Sequence, residues 1–363
     1  MIYAALFNLL LRRLSPEQAH RLASATLRAA CRIPGCAALL RRLLAASDPA
    51  LRVEALGLSF PSPLGVAAGL DKDASCFEGL GLLGFGFVEV GTVTAQPQQG
   101  NQPPRVFRVL RDRALLNRMG FPNPGASAVT ERLRRRSGNV VVGANVGKSM
   151  VVPLERAGGD YCAGVRALAP VCDYLVLNVS SPNTPGLKQM QTVELLRPLL
   201  GEVQRELREM GVELPLLVKV GPDLADRQLL AIADLALERG IDGIVAVNTS
   251  EQRTLLSHPS ALAGVEGGGV SGPPLRTRAV EVLRLLRARV GDRLVLISVG
   301  GISTPEDAWE RILAGATLLQ AYTGFVYGGP AWPSHVNRAL AQRVRAAGAG
   351  SIQQLVGSRE ETL

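Results

Sequence analysis

The sequence predicts an α/β protein, a (β/α)8 TIM barrel with a small N-terminal helical extension, on three observations. Eight short apolar runs recur from about residue 50 onward, helical patterns fall between most of them, and the residues that close the runs share one kind of chemistry. At 363 residues and 47% apolar composition, the chain can bury one large core and still carry an appendage.

Residues 1–46 stand apart from that rhythm. Ile2–Leu11 is an apolar helical run, Pro16 opens a second helix from Glu17 to Cys31, and Pro34-Gly35 breaks the chain before a third run, Ala37–Ala46. The segment holds seven arginines and one acid, Glu17. No run reaches the roughly 18 apolar residues a spanning helix needs. A signal peptide places its charge before the apolar stretch, whereas Arg12 and Arg13 follow it. The segment is read as an amphipathic helical pair on a membrane surface, with helices packed on the main domain as the competing reading.

The strand-like runs are Leu64–Ala68, Phe87–Thr92, Val140–Val146, Tyr174–Val179, Leu216–Val220, Gly243–Val247, Leu294–Val299 and Leu318–Tyr322. Helical patterns cover Asp73–Leu83, Val193–Met210, Asp226–Arg239, Arg276–Arg289 and Pro305–Ala314. A doubly wound open sheet is the alternative, but no GxGxxG opens a helix after the first run. Two stretches, Thr94–Gly125 and Ser250–Gly272, read as long loops that cover a site. The barrel is placed at residues 50–346, and the polar tail, 347–363, is assigned no role.

Charge and composition exclude several functions. The net charge is +9, yet the densest basic run, Arg132 to Arg136, ends a helix and has no interleaved aromatics, so nucleic acid is not an expected partner. Five cysteines form no CxxC pair and read as reduced residues of a cytosol-facing protein. Three scattered histidines suggest no metal site. Only Lys72, Lys148, Lys188 and Lys219 are lysines among 40 basic residues, which makes a compact, tunable ammonium at those positions worth following.

The ends of the runs carry the chemistry. The first closes on Ala68, Gly69, Leu70, Asp71 and Lys72, and the second on Thr92. Three close on amides, Asn145, Asn178 and Asn248; the fifth carries Lys219, and the last two give Gly300-Gly301 and Tyr322-Thr323. Asn178 opens the loop Asn178-Val179-Ser180-Ser181-Pro182-Asn183-Thr184-Pro185-Gly186. With no histidine, cysteine or carboxylate pair at these ends, metal hydrolysis and paired-carboxylate chemistry fit poorly. Amides suit a flat, nitrogen-rich heterocycle, since each offers a donor and an acceptor to an imide edge. Gly272, Gly300 and Gly301 with Thr323 let backbone N–H groups approach a phosphate after the last strands. Together these imply a phosphorylated aromatic cofactor, and flavin mononucleotide (FMN) fits, with Lys219 placed to offset negative charge on its reduced ring.

On these residues the chain resembles the membrane-associated, quinone-linked class of dihydroorotate dehydrogenase. The resemblance runs from about residue 1 to 340 through AAGLDKD (67–73), FGFVEVGTVT (85–94), LNRMGF (116–121), NVSSPNTPG (178–186), VNTS (247–250), GGVSGPPL (268–275), SVGGI (298–302) and AYTGF (321–325). It implies oxidation of dihydroorotate to orotate, with FMN accepting hydride and ubiquinone or menaquinone reoxidising it, in a peripheral protein on the cytoplasmic side of the cell membrane. It implies Ser181 as base, and Lys72, Asn117, Arg118, Met119, Gly120, Phe121, Asn178, Asn183, Asn248 and Thr249 around the substrate. It implies flavin contacts from Ala68, Gly69, Leu70, Asp71, Lys72, Thr92, Asn145, Asn178, Lys219, Val247, Gly272, Gly301, Tyr322 and Thr323. Residues 1–46 would form the quinone entrance, with Arg108 and Tyr322 at its inner end and Thr184 relaying the proton from Ser181. Val247 departs from the family, standing where related bacterial sequences have a threonine, and a backbone contact is expected to survive there. The soluble class uses a cysteine base, which Ser181 speaks against. A lyase using Lys219 as a Schiff base is the rival from another class, and a bound flavin spectrum separates the two.

Overall fold

The computed structural model describes residues 2–358. Its centre is a closed barrel of eight parallel strands, Leu64–Val66, Phe87–Val93, Val141–Val146, Tyr174–Asn178, Leu216–Val220, Gly243–Ala246, Val295–Val299 and Leu318–Ala321. Each pairs with the next in sequence, and the last pairs with the first through Leu319–Leu64 and Ala321–Val66. Strands covered on both faces must be apolar throughout, which is why these runs are continuous rather than alternating.

The N-terminal mouth of the barrel is closed by aromatics. A hairpin, Val53–Ala55 with Leu58–Phe60, brings Phe60 edge-on to Phe87, 5.2 Å between centroids, and Phe87 lies 6.4 Å from Tyr174. Gly65 and Gly143 face this plug; a Cβ on either would sit 2.4 Å from the Phe87 ring or 2.1 Å from the Tyr174 ring. The bottom is thus sealed, and the open end is the one where the strands finish.

Helices between the strands include Val193–Glu209, Asp226–Glu238, Arg276–Val290 and Pro305–Leu313, close to expectation. The first differs: it begins at Phe77 rather than Asp73, because Asp71 draws the Ser75 and Cys76 N–H groups onto its carboxylate and forms a turn first. Ala157–Leu168 and Trp332–Ala346 are helices the periodicity did not single out; the first hides behind Gly158, Gly159 and Gly164.

Both long loops contain structure. Val106–Val109 and Ala114–Asn117 form a hairpin to which Gly269–Ser271 adds an antiparallel strand, so the two stretches build one three-stranded sheet over the barrel mouth. That sheet has a small core of its own, including Val109, Leu116, Leu256, Leu262 and Val270.

The N-terminal segment folds as Ile2–Leu6, a π-helical turn Phe7–Leu11, and helices Pro16–Arg32 and Pro34–Leu44. Ser15 and Gln18 form a capping box before the second helix. Pro34-Gly35 lies inside the first turn of the next helix, where proline is tolerated, rather than forming a separate break before Ala37. The tail is not featureless either: Ile352–Leu355 is a short helix with both ends buried, and Gln353 bonds both the N–H and C=O of Glu54. Met1 and residues 359–363, within the segments expected to be entrance and tail, lie outside the described residues.

Candidate active site

The strand ends and the small sheet enclose a cleft with about 1130 Å³ of empty space. At its floor is a polar network that begins inside the barrel, below the strand ends. Glu89, in the middle of the second barrel strand and fully buried, accepts from Asn145 Nδ2 at 2.7 Å and Gln320 Nε2 at 2.5 Å. Lys219 Nζ lies 3.7 Å from the same carboxylate and reaches the cleft wall. Asn145 accepts from Thr92 Oγ1 at 2.6 Å, and Thr92 in turn accepts from Asn178 Nδ2 at 2.9 Å. Asn178 Oδ1 then takes the Ser180 N–H at 3.2 Å and hydroxyl at 3.1 Å. Asn248 Nδ2 donates to Ser180 Oγ at 2.9 Å. The chain of donors and acceptors therefore runs unbroken from Glu89 to Asn248, which fixes each amide's orientation.

Ser181 sits at the next position, 4% exposed, and its Oγ accepts the Asn183 N–H at 3.2 Å. That two-residue turn fixes where the hydroxyl points. Asn183 Nδ2 donates to Asn117 Oδ1 at 3.1 Å, and Asn117 Nδ2 reaches Gly269 O at 3.3 Å, so the loop 178–186 is tied to the covering sheet. Thr184 Oγ1 is buried with no partner among the described residues.

Lys72 closes one side, its Nζ on Gly69 O at 2.5 Å. Burial lowers its ammonium to about 8, although Asp71 and Asp73 oppose the shift. Burial likewise pushes the Tyr322 phenol up to about 12, so it is neutral at pH 7. At the other end Gly272 has φ +101°, and an added Cβ would meet Arg113 O and Thr323 Cγ2, both at 2.9 Å. A Cβ on Gly301 would come within 2.5 Å of the Arg276 backbone. Ser271 and Thr323 share a hydroxyl hydrogen bond of 2.8 Å beside them.

Most expected residues line this cleft: Ser181, Lys72, Asn117, Met119, Gly120, Phe121, Asn178, Asn183, Asn248, Thr249, Ala68, Gly69, Thr92, Lys219, Val247, Gly272, Gly301, Tyr322 and Thr323. Four do not. Asp71 turns away to bind the start of the following helix, and burial raises its carboxyl to about 6 despite those two N–H bonds. Leu70 faces a second cavity, Asn145 lies behind Thr92, and Arg118 is off the wall with its N–H on Arg105 O at 2.7 Å. The Val247 N–H is spent on Val299 O at 2.9 Å, so only its carbonyl is left for the backbone contact expected there. Glu89 and Gln320 were missed by sequence reasoning; a polar residue inside FVEVGTV or LLQA was the available signal.

The second cavity is larger, with about 2400 Å³ of empty space, and mostly apolar. It lies between the N-terminal helices and the barrel, among Phe7, Leu10, Ala23, Leu27, Leu40, Phe325 and Val326. Arg108 lines it, its Nη1 on Leu14 O at 2.8 Å and its guanidinium 5.9 Å above the Phe7 ring. Tyr322, Lys72, Val106, Leu115 and Met119 belong to both cavities and form the wall between them. His20 lies in the second cavity, where burial and the Lys72 charge lower its imidazole to about 4.

An eight-stranded barrel with an amide-lined polar cleft at the strand ends and an apolar chamber behind it defines a TIM-barrel enzyme. The comparisons narrow the class. Residues 50–344 match the family model described as dihydroorotate dehydrogenase, and the chain belongs to that family. A protein of Thermobifida fusca named dihydroorotate dehydrogenase (quinone) is 55% identical, the match covering 98% of this chain and 96% of that one. One of Mycobacterium tuberculosis with the same name is 52% identical over 94% of each chain. Among solved structures, DHODH from Eimeria tenella in complex with ferulenol aligns with a TM-score of 0.86 at 34% identity, covering 94% of this chain and 95% of that one.

Proposed function

We propose that the protein oxidises dihydroorotate to orotate with a bound FMN, and that a membrane quinone, ubiquinone or menaquinone, takes the electrons. The observation that carries this reading is the pair of cavities: a cleft set with amides and two lysines, and a markedly more apolar chamber, that meet at Tyr322 and Lys72. Two ligands of different polarity can then reach opposite sides of one wall. A single-substrate lyase has no use for the second chamber.

The residues present fit FMN. Gly272 and Gly301 leave backbone space that a side chain would fill, and the Ser271 and Thr323 hydroxyls stand beside them as donors for a phosphate. Thr92, Asn178 and Lys219 would face the ring system, with Asn145 holding Thr92 from behind. When bound, the flavin supplies the acceptor for the substrate's hydride and passes the electron pair on.

The protein's own part is to hold the substrate and move its proton. Asn117, Asn178, Asn183 and Asn248 offer paired donors and acceptors to the imide edges, and Lys72 a positive charge to the carboxylate. Oxidation takes a proton from C5 and a hydride from C6, leaving a double bond between them. Ser181 takes the proton, its orientation set by the Asn183 N–H. A serine needs somewhere to pass that proton. Thr184 is the loop's one buried hydroxyl without a partner among the described residues, and with a water it is the relay this reading assigns for passing the proton out to solvent.

The helices of residues 2–44 would form the quinone entrance and rest on the cytoplasmic face of the bacterial inner membrane. No helix among the described residues is long and apolar enough to cross a membrane. Their outer surface carries Ile33, Leu39 and Leu43, from 56% to 61% exposed. The test is spectroscopic. The purified protein should be yellow, bleach on anaerobic addition of dihydroorotate and recolour on addition of a quinone. A colourless protein, or one that dihydroorotate leaves oxidised, overturns the proposal.

A further inference from the structure

Arg311 is the largest side chain that is fully buried, and none of the site residues explains it. It lies on the helix Pro305–Leu313, behind the cleft wall rather than on it. Its guanidinium joins three segments: Nη1 donates to Ser298 Oγ at 3.1 Å, and Nη2 to Gly300 O at 2.8 Å and Arg276 O at 3.0 Å. Its Nε has no partner, and no ion pair to it forms among the described residues. The nearest acids, Glu310 and Asp307, act on its charge but bond to other groups. Asp307 and Glu310 both pair with Arg276 at 2.8 Å, and Asp307 also caps its own helix through the Ser303 and Thr304 N–H groups at 2.9 Å.

A buried guanidinium without a carboxylate is unfavourable unless something else repays it. Two features indicate what does. The carbonyls it grips belong to Gly300 and Arg276, and Gly301 presses directly on the Arg276 backbone. Arg311 therefore locks the strand-seven turn onto the start of the preceding helix, Arg276–Val290, at the spot where Gly272, Gly300 and Gly301 reach the cleft. Its charge also lies just behind that turn. Burial lowers the guanidinium to about 10, which leaves it charged at pH 7.

We propose that Arg311 is a positioning residue for a phosphorylated flavin: it sets the Gly300–Gly301 turn, whose backbone would face the phosphate. This rests on the flavin reading above. Without touching the ligand, Arg311 makes the site prefer FMN over riboflavin, which has the same ring and ribityl chain but no phosphate.

The test compares Arg311→Met, Arg311→Lys and the wild type as full-length proteins stripped of flavin, each titrated with FMN and with riboflavin by fluorescence. Arg311→Met should weaken FMN binding by about 10- to 100-fold and riboflavin binding by less than about threefold. Equal losses for both flavins, or no loss for either, overturn the assignment. If Arg311→Met does not fold, as judged by circular dichroism and melting, Arg311→Lys decides. A lysine keeps the charge but cannot span three acceptors in a planar fork, so the FMN preference should fall by at least about threefold. A lysine variant with wild-type preference overturns the positioning role. If the wild type binds neither flavin, the proposed function itself fails and this inference with it.

Discussion

Glu89 and Lys219 offer the sharpest test of the site's electrostatics, because both are buried and they lie 3.7 Å apart. At an effective dielectric of about 20, two unit charges at that distance attract by on the order of 4 kcal/mol. Glu89→Gln preserves the shape of the side chain but replaces a carboxylate oxygen with an amide donor. That donor must then face Asn145 Nδ2, Gln320 Nε2 or Lys219, all donors themselves. The variant should lose about 3–5 kcal/mol, the usual cost of leaving one buried charge without its partner. At roughly 2 °C per kcal/mol for a chain of this size, the melting temperature should drop by about 6–10 °C. Lys219→Met alone should cost a similar amount, since the carboxylate is then stranded. The double variant should cost clearly less than the two singles added, with a coupling of at least about 1.5 kcal/mol. Urea unfolding followed by the fluorescence of Trp309 and Trp332, both buried, gives all four corners of the cycle. Additivity within about 0.5 kcal/mol would refute the claim that these two charges hold each other.

Ser181→Ala is expected to retain the flavin yet slow its bleaching by dihydroorotate about 10²- to 10⁴-fold in stopped-flow absorbance, the usual range for a lost general base; near wild-type reduction would remove Ser181 from its role. Because Lys72 in the free protein sits at about 8, its charge disappears above that pH. Orotate affinity, measured by titration, should weaken about fivefold between pH 8 and pH 9, and Lys72→Met should flatten the profile; a flat wild-type profile would show that Lys72 does not meet the carboxylate. Deletion of residues 1–46 should leave reduction by dihydroorotate intact, slow reoxidation by a long-tailed quinone at least about tenfold, and weaken binding to anionic vesicles. Unchanged quinone turnover and vesicle binding in a folded, flavinated truncation would make those helices ordinary packing.

The barrel was legible because its strands are shielded on both faces. Runs such as Val-Val-Gly-Ala-Asn-Val at 141–146 announce themselves by composition, and polar residues at or just past the strand ends, such as Asn178 and Asn248, mark the end that faces the site. The covering sheet was not legible, for a physical reason. Gly269–Ser271 is a three-residue strand in a glycine-rich stretch, and it exists only because Ala114–Asn117, about 150 positions earlier, offers it an edge. Asp71 misled in the opposite direction. An acid after a strand and shortly before a helix reads equally well as a ligand contact or a helix-start acceptor, and only the Ser75 and Cys76 N–H bonds decide for the second. Glu89 gives no strand-end signal, because it lies inside the strand Phe87–Val93 and acts from one layer below the strand ends.

Glu17, the single acid of residues 1–46, shows how one segment can serve two surfaces. It is turned inward, accepting from Arg105 Nε at 3.0 Å and Nη2 at 2.6 Å. Arg105 donates onward to Gln99 O at 2.7 Å and, through its own carbonyl, holds the Arg118 N–H of the cover. The helix is therefore fastened to the part of the chain that closes over the polar cleft. Arg28 also points inward, onto Ser75 Oγ at 3.2 Å. The other six arginines, Arg12, Arg13, Arg21, Arg32, Arg41 and Arg42, are exposed, on the segment that also exposes Leu22, Ile33, Leu39 and Leu43. Had the charge bias been mere solubility, the acid and the inward arginine could have been anywhere, and the exposed leucines would be a liability in water. Instead the inward-facing charges attach the helices to the barrel, and the outward face combines cations with bare aliphatic side chains. That division suits the proposed seat of the helical pair on an anionic lipid surface.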